Sequence, residues 1–461
     1  MFNKSIFLLF VSIVAATNIF SQSCNCESNF VWVKQTFEKN DAGFLYVIDK
    51  KGTSEYEKHN QFFSEKTKSA KNNYECAEII TDWLHFFRKG HIGITVLIND
   101  IVENPQQAMR HFPDWEKVSD DTVNFKKYLD DKKEVGFEGI WDDGSYTVGI
   151  QQIDNQLVGF IIKSNVEEWK TGEVKFRIFP DSTVYYMRNH SAKNFDNVEL
   201  SSINLLFFGN EFSYIRKYPI IEDKFLTSII DRKPYFDTIN ANTSYLRIPS
   251  FDNNLCNFID SVISQNAKFI TAKENLVIDV RFNTGGSDIC WQNIMPFIST
   301  NPVRIKNNYI LSTELNNKQA AKFRDRFFIE KLEQNLGKFV LLRDEKYTTI
   351  NYGKVEIPKK VAILVNNFCA SSTESFLLSA RQSQKVKIFG TRTMGVSDFA
   401  NMNLIESPCK QFQLYYATSK DVDIEKFSIE DTGIQPDFYL DNEIPPYRWL
   451  EFVTQILNNS K

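Results

Sequence analysis

The sequence predicts an α/β protein with a largely parallel sheet at its core, preceded by a helical region and an interposed antiparallel β module. Three observations carry this. From about residue 240, runs rich in Val, Ile and Leu ("SYLRIPSF", "ENLVIDVRF", "KKVAILVNN", "KVKIFGT") alternate with helical stretches. Residues 361–365 are an unbroken apolar run and 276–280 are apolar apart from Asp279, as expected of strands buried on both faces. Between 137 and 218 the runs are short and alternating ("SYTVGIQQI", "QLVGFIIK", "EVKFRIF", "TVYYMRN"), with hairpin signals such as Asp142-Asp143-Gly144 and Asp154-Asn155 between them.

The elements follow in order. Residues 28 to about 90 read as helices: Cys76, Ile79, Ile80, Trp83 and Phe87 fall on one face at three- and four-residue spacing, and the pattern stops at Lys89-Gly90. "IGITVLI", after His91, reads as a strand. A chain of 461 residues exceeds one ordinary core. We divide it into a helical region 24–100, a β module 101–238 and an α/β core 239–461.

The N-terminus has the form of a signal peptide over residues 1–23. "MFNK" supplies a positive start and "SIFLLFVSIVAA" an apolar run within the roughly 7–15 residues of a signal core. Ser21 and Ser23 are small residues at −3 and −1 of a cut before Cys24. The run stops short of the roughly 20 residues a membrane span needs. Export to the periplasm or the cell exterior is the expectation. A mildly acidic chain, net −4, with no basic block gives no reason to expect nucleic acid as partner. Seven scattered cysteines and five dispersed histidines suggest neither a disulfide pattern nor a metal site, and no cofactor is expected.

Two stretches carry chemistry. In "VAILVNNFCASSTESFLL" a buried strand ends and a helix begins near Ser371. Ser371-x-x-Glu374 fits a capping box. The same geometry also suits a nucleophile, because helix N-terminal N–H groups favour a developing oxyanion. In "IDVRFNTGGS", Gly285-Gly286 is either an ordinary turn or a place where backbone approaches a ligand closely.

Together, "LVIDVRFNTGG", "VAILVNNFCASSTES", "KIFGTRTMG" and "EDTGIQPD" resemble, in this order, the core of the C-terminal-processing, or tail-specific, serine peptidases and their tricorn-type relatives. The resemblance covers about 239 to 439 and implies a fold like that of the crotonases and Clp-type peptidases. It places the nucleophile on Ser371, with Ser372 as the alternative. The oxyanion hole falls on the N–H of Ser372 with that of Gly285 or Gly286. The processing peptidases carry a lysine base 25 residues beyond the nucleophile, where this chain has Val396. The tricorn-type relatives use a histidine and a glutamate instead, matched here by His91 in Gly90-His91 and by Glu430, three residues before Gly433. Asp431 is the rival carboxylate. His85 reads as structural. No carboxylate-binding loop of a PDZ domain is recognisable.

The resulting expectation is a secreted serine endopeptidase acting on polypeptides through Ser371, His91 and Glu430. A peptidase fold retained as a non-catalytic binding module is the alternative. Acyl-CoA chemistry on a crotonase-like fold fits poorly with a signal sequence.

Overall fold

The parallel runs assemble as their composition dictates. In a computed structural model that describes residues 24–97, 115–118, 121–180, 182–195, 198–209, 211–440 and 443–459, strands Thr243–Arg247, Asn275–Asp279, Lys360–Val365 and Val386–Gly390 pair in parallel. Tyr235–Thr238 and Phe438–Tyr439 form the two edges. Alternate residues serve opposite faces. Leu276, Ile278, Ile363 and Val365 pack under helices Cys256–Ile270 and Ser372–Ala380. Tyr245, Val277, Ala362 and Leu364 pack against the C-terminal helix Trp449–Asn459. Both faces are covered, which is why residues 276–278 and 361–365 at the centre of the sheet are continuously apolar.

The expected signal peptide, 1–23, lies outside the described residues. The N-terminal helices run Cys26–Asn40, Phe44–Lys51, Thr53–Thr67 and Asn73–Leu84. The last of them ends at Leu84, ahead of the expected Lys89-Gly90, and Phe87 packs from the turn that follows. Nine antiparallel strands between Gly139 and Tyr218 make the β module's sheet. Phe195, on one edge strand, meets Phe208 and Phe212 from the other half of the sheet, so the sheet curls around an aromatic core.

One sheet was not anticipated. Strand Ile92–Val96, from the helical region, pairs antiparallel with Phe412–Asp421, which also binds Phe399–Glu406 and Asn308–Leu311. The C-terminal part is therefore not purely a parallel-sheet unit, and the N-terminal region shares a sheet with it. This pairing of residues more than 300 positions apart brings His91 to the core.

Three disulfides join Cys24 to Cys409, Cys26 to Cys76 and Cys256 to Cys290. The first ties the start of the described chain to the second sheet. No helix among the described residues is long and apolar enough to cross a membrane.

Candidate active site

Ser371 stands between strand Lys360–Val365 and helix Ser372–Ala380, with φ +54° and ψ −119°. That is the first central position of a type II′ turn closed by the Thr373 N–H on the Ala370 carbonyl, a region usually left to glycine. An ordinary helix cap has extended backbone, so the capping reading describes only part of Ser371. A serine forced into this conformation at a strand–turn–helix junction matches the logic of a nucleophile elbow. Strain of this kind costs about 1–3 kcal/mol and persists only where surrounding structure imposes it.

Glu374 imposes it. Its buried carboxylate accepts from the N–H of Ser371 (3.2 Å), Gly395 (2.7 Å) and Val396 (3.0 Å) and from the Thr393 hydroxyl (2.5 Å). Burial pushes the Glu374 pKa up, and these bonds pull it back. Next door, Asn283 binds the glycine turn to the nucleophile loop. Its carbonyl accepts from Ala370 N–H and the Thr373 hydroxyl, and its side-chain oxygen accepts from the N–H of Gly285 and Phe251. A Cβ on Gly285 would lie 2.8 Å from Ser371 Cβ and 2.6 Å from the Ala370 carbonyl oxygen, so no other residue fits there. Gly286 is equally constrained by the Phe251 carbonyl.

These contacts sort the expected oxyanion donors. The Gly285 N–H is already given to Asn283. The N–H groups of Gly286 and Ser372 meet no acceptor among the described residues. Ser372 itself is buried, and its hydroxyl donates to Asp288 at 2.5 Å, pointing away from any role as nucleophile. Cys369, two positions before Ser371, is a buried thiol whose pKa desolvation pushes up to about 12, which keeps it unreactive.

His91 arrives from the other side. Its backbone has φ +52°. Arg88, in a fully buried ion pair with Asp41, holds the carbonyls of Gly90 (3.1 Å) and His91 (3.1 Å). Gly90 is required by Val396, whose side chain would lie 2.0 Å from a Cβ there. Val396, at the place the resemblance gives to lysine, is buried over this turn. The His91 ring lies by the Val396 backbone, and its Nδ1 bonds the Phe399 carbonyl. Burial holds its pKa below the ordinary value, and the nearby Arg88 guanidinium adds to this.

The structure brings Ser371 and His91 to the same loop, 393–399, but no hydrogen bond joins them, and none joins His91 to Glu430. Both Glu430 carboxylate oxygens are buried without a partner, and burial raises its pKa to about 9. In this arrangement Glu430 is an uncharged acid at neutral pH, which departs from the expected carboxylate under an imidazolium. Its backbone is pinned by Asp398, which accepts from the N–H of Ile429 (2.8 Å) and Glu430 (3.0 Å). Asp431 is exposed and turned outward, its N–H on the Gly395 carbonyl and its own carbonyl on Arg392. His85 is exposed at the end of its helix, away from the site.

Sequence reasoning missed Arg88, Asp41 and Asp398, which place the His91 and Glu430 backbones. An arginine two residues before a Gly-His pair was the available signal. It also took Asp279 and Arg281 only as part of a motif. They form a buried bidentate pair joined by Arg247 and Tyr245, which fixes the strand end from which the glycine turn departs.

Residues 242–440 match the model of peptidase family S41. The fold is similar to that of mature CPAF, at 13% identity over 95% of this chain and 98% of that one, with TM-score 0.51. It is also similar to a CPAF mutant, at 11% identity over 95% and 98%, with TM-score 0.53. No curated protein matches the sequence. Residues 242–440 thus carry the core of a family S41 peptidase, and the core motifs and the fold are similar to those of the tail-specific and tricorn-type serine peptidases, hydrolases whose substrates are polypeptides.

Proposed function

We propose that this protein is a secreted serine endopeptidase in which Ser371 is the nucleophile, His91 the general base and Glu430 the group that orients it. The observation that carries the reading is the Ser371 turn. A strained serine, whose N–H is held by a buried glutamate that three further donors from loop 393–396 fix in place, lies against a glycine and beside two N–H groups without acceptors among the described residues. Ser371 Oγ attacks the scissile carbonyl while His91 removes its proton, and the Gly286 and Ser372 N–H groups receive the oxyanion. His91 then protonates the leaving amine, and water resolves the acyl-enzyme by the same route. For this, the imidazole leaves the Phe399 carbonyl and turns to Ser371, and Glu430 loses its proton to solvent as it gains the N–H of the neutral His91 ring as a partner. Export is supported by the three disulfides, which persist in oxidising compartments. The Cys24 sulfur is used in one of them, which speaks against a lipid anchor on that residue.

The second reading, a peptidase fold used for binding, draws on the separation of Ser371, His91 and Glu430 as they stand. Incubating the purified protein, Ser371→Ala and His91→Ala with unfolded casein, and following fragments by mass spectrometry, decides between them. Fragments from wild type alone are expected. Equal fragments from all three would place the activity elsewhere, and none from any would favour the binding reading.

A further inference from the structure

The β module and the core enclose space that the proposed chemistry does not use. Across five neighbouring strands of the curled sheet, Gln152, Leu157, Ile178, Thr183 and Phe195 are partners, each directly opposite the next. Opposed residues of antiparallel strands project to the same face. The five therefore form one row across the end of the sheet. This row floors a cavity of about 540 Å³ whose far wall is Pro445, Pro446 and Tyr447, just before the C-terminal helix. Barrel mouths and the seams between structural units are where ligand cavities usually lie.

A second cavity, of about 260 Å³, shares Glu199 and Pro446 with the first. Its base is made by Phe282, Asn366, Asn367, Thr391 and Arg392, the residues that leave the carboxyl ends of three adjacent parallel strands. In open α/β sheets that edge is the usual place for ligands. The same edge launches the loop to Ser371. Phe282 and Phe368 stack at 4.9 Å, and Phe207 of the β module packs on both, so module and nucleophile loop share one aromatic contact.

We propose that the two cavities form one track that binds an extended, uncharged and mainly apolar segment of a polypeptide substrate and leads it to Ser371. The inference rests on the peptidase reading above and names the substrate class and path for it. The lining chemistry selects the occupant. Glu199 is the one charged side chain among the described residues of the larger cavity. Leu157 and Ile178 offer apolar contact, while Gln152, Asn155 and Gln156 offer amides to a peptide backbone. An extended chain alternates its side chains, so it can present one row to each. A carboxylate would be desolvated in the larger cavity with no cationic side chain among its described lining to pair with.

The test uses the full chain carrying Ser371→Ala. A fluorescein-labelled peptide alternating leucine with glutamine is titrated by anisotropy, beside a twin with glutamate in place of leucine. Saturable binding of the leucine peptide is expected, with the twin roughly tenfold weaker or worse. Ile178→Lys and Tyr447→Ala should each weaken the leucine peptide by a similar factor. Tyr447 lies at the rim, so an unchanged thermal transition in that variant separates lost binding from lost folding. Equal affinity for both peptides, or unchanged binding in both variants, overturns the track. Because binding is read without turnover, a chain that binds as expected but never cleaves casein would fail as a peptidase and keep the track. One that cleaves the peptide with unchanged KM in Ile178→Lys would remain a peptidase and lose it.

Discussion

The nucleophile half of the candidate site and its base half are built differently. Around Ser371, the Glu374 carboxylate is saturated by four donors, and the Asn283 side chain and carbonyl by five more partners. Around His91, the imidazole rests on a main-chain carbonyl and Glu430 is buried with both oxygens unpartnered. The first half arises from neighbouring strands and the loops between them, and its contacts form as the sheet forms. The second is gathered from three separate segments, at 88–91, 396–399 and 428–430, whose backbones the Arg88 and Asp398 side chains pin while the Glu430 carboxyl stays without a partner. Buried polar groups without partners are costly. A site that carries them holds a ready source of rearrangement, and the difference identifies where a switch between resting and working geometry would lie.

The largest effect tests whether the halves act together at all. Ser371→Ala and His91→Ala should each lower kcat/KM on casein by on the order of 10⁴ or more, with the double variant little worse, since groups that act as a unit are not additive. Retained activity in His91→Ala would detach the base half from the reaction.

Next comes the scaffold of the base half. Arg88→Ala strands the buried Asp41 carboxylate and frees the Gly90–His91 carbonyls, and should cost about 3–5 kcal/mol in urea denaturation. A loss below about 1 kcal/mol would mean the turn is held by other contacts.

Glu430→Gln probes the uncommitted carboxyl. Its folded pKa, about 9, lies above its ordinary value near 4.5, so the folded state binds the proton more tightly. Stability from this group is therefore present in acid and is lost as pH rises from about 4.5 towards 9. At pH 7 the glutamine variant should be more stable than wild type by on the order of 2–3 kcal/mol, with the gap closing towards pH 5. Thermal melts across that range check it, and a gap that widens in acid would contradict the buried, unpaired state.

The smallest effect sharpens the comparison most. A base must be neutral, so kcat/KM falls as pH drops through the His91 pKa. Burial puts that midpoint below the ordinary value of about 6.5. A measured midpoint above 6.5 would instead report an ionised Glu430 at His91, the assembled geometry.

Much of the nucleophile half was legible in the sequence because its motifs are local. "VAILVNN" had to be a strand buried on both faces, Ser371 had to start the following helix, and Gly285-Gly286 had to allow close approach. What was hidden there was conformation: the left-handed φ of Ser371, the use of the Gly285 N–H by Asn283 and the turning of the Ser372 hydroxyl to Asp288. The base half was legible only as residue types at suggestive spacing, since nothing within a few residues of His91 or Glu430 shows what either faces.

By itself, then, the sequence determined the periodicities that make a parallel sheet, a curled antiparallel sheet and the N-terminal helices, and the order of the core motifs. These depend on interactions within a turn, a strand or a strand–helix unit. Only the tertiary structure decided that Ile92–Val96 pairs with Phe412–Asp421, that Cys24 joins Cys409, and that Val396 covers Gly90. Such pairings depend on how surfaces hundreds of residues apart fit together, and local pattern carries no record of that fit.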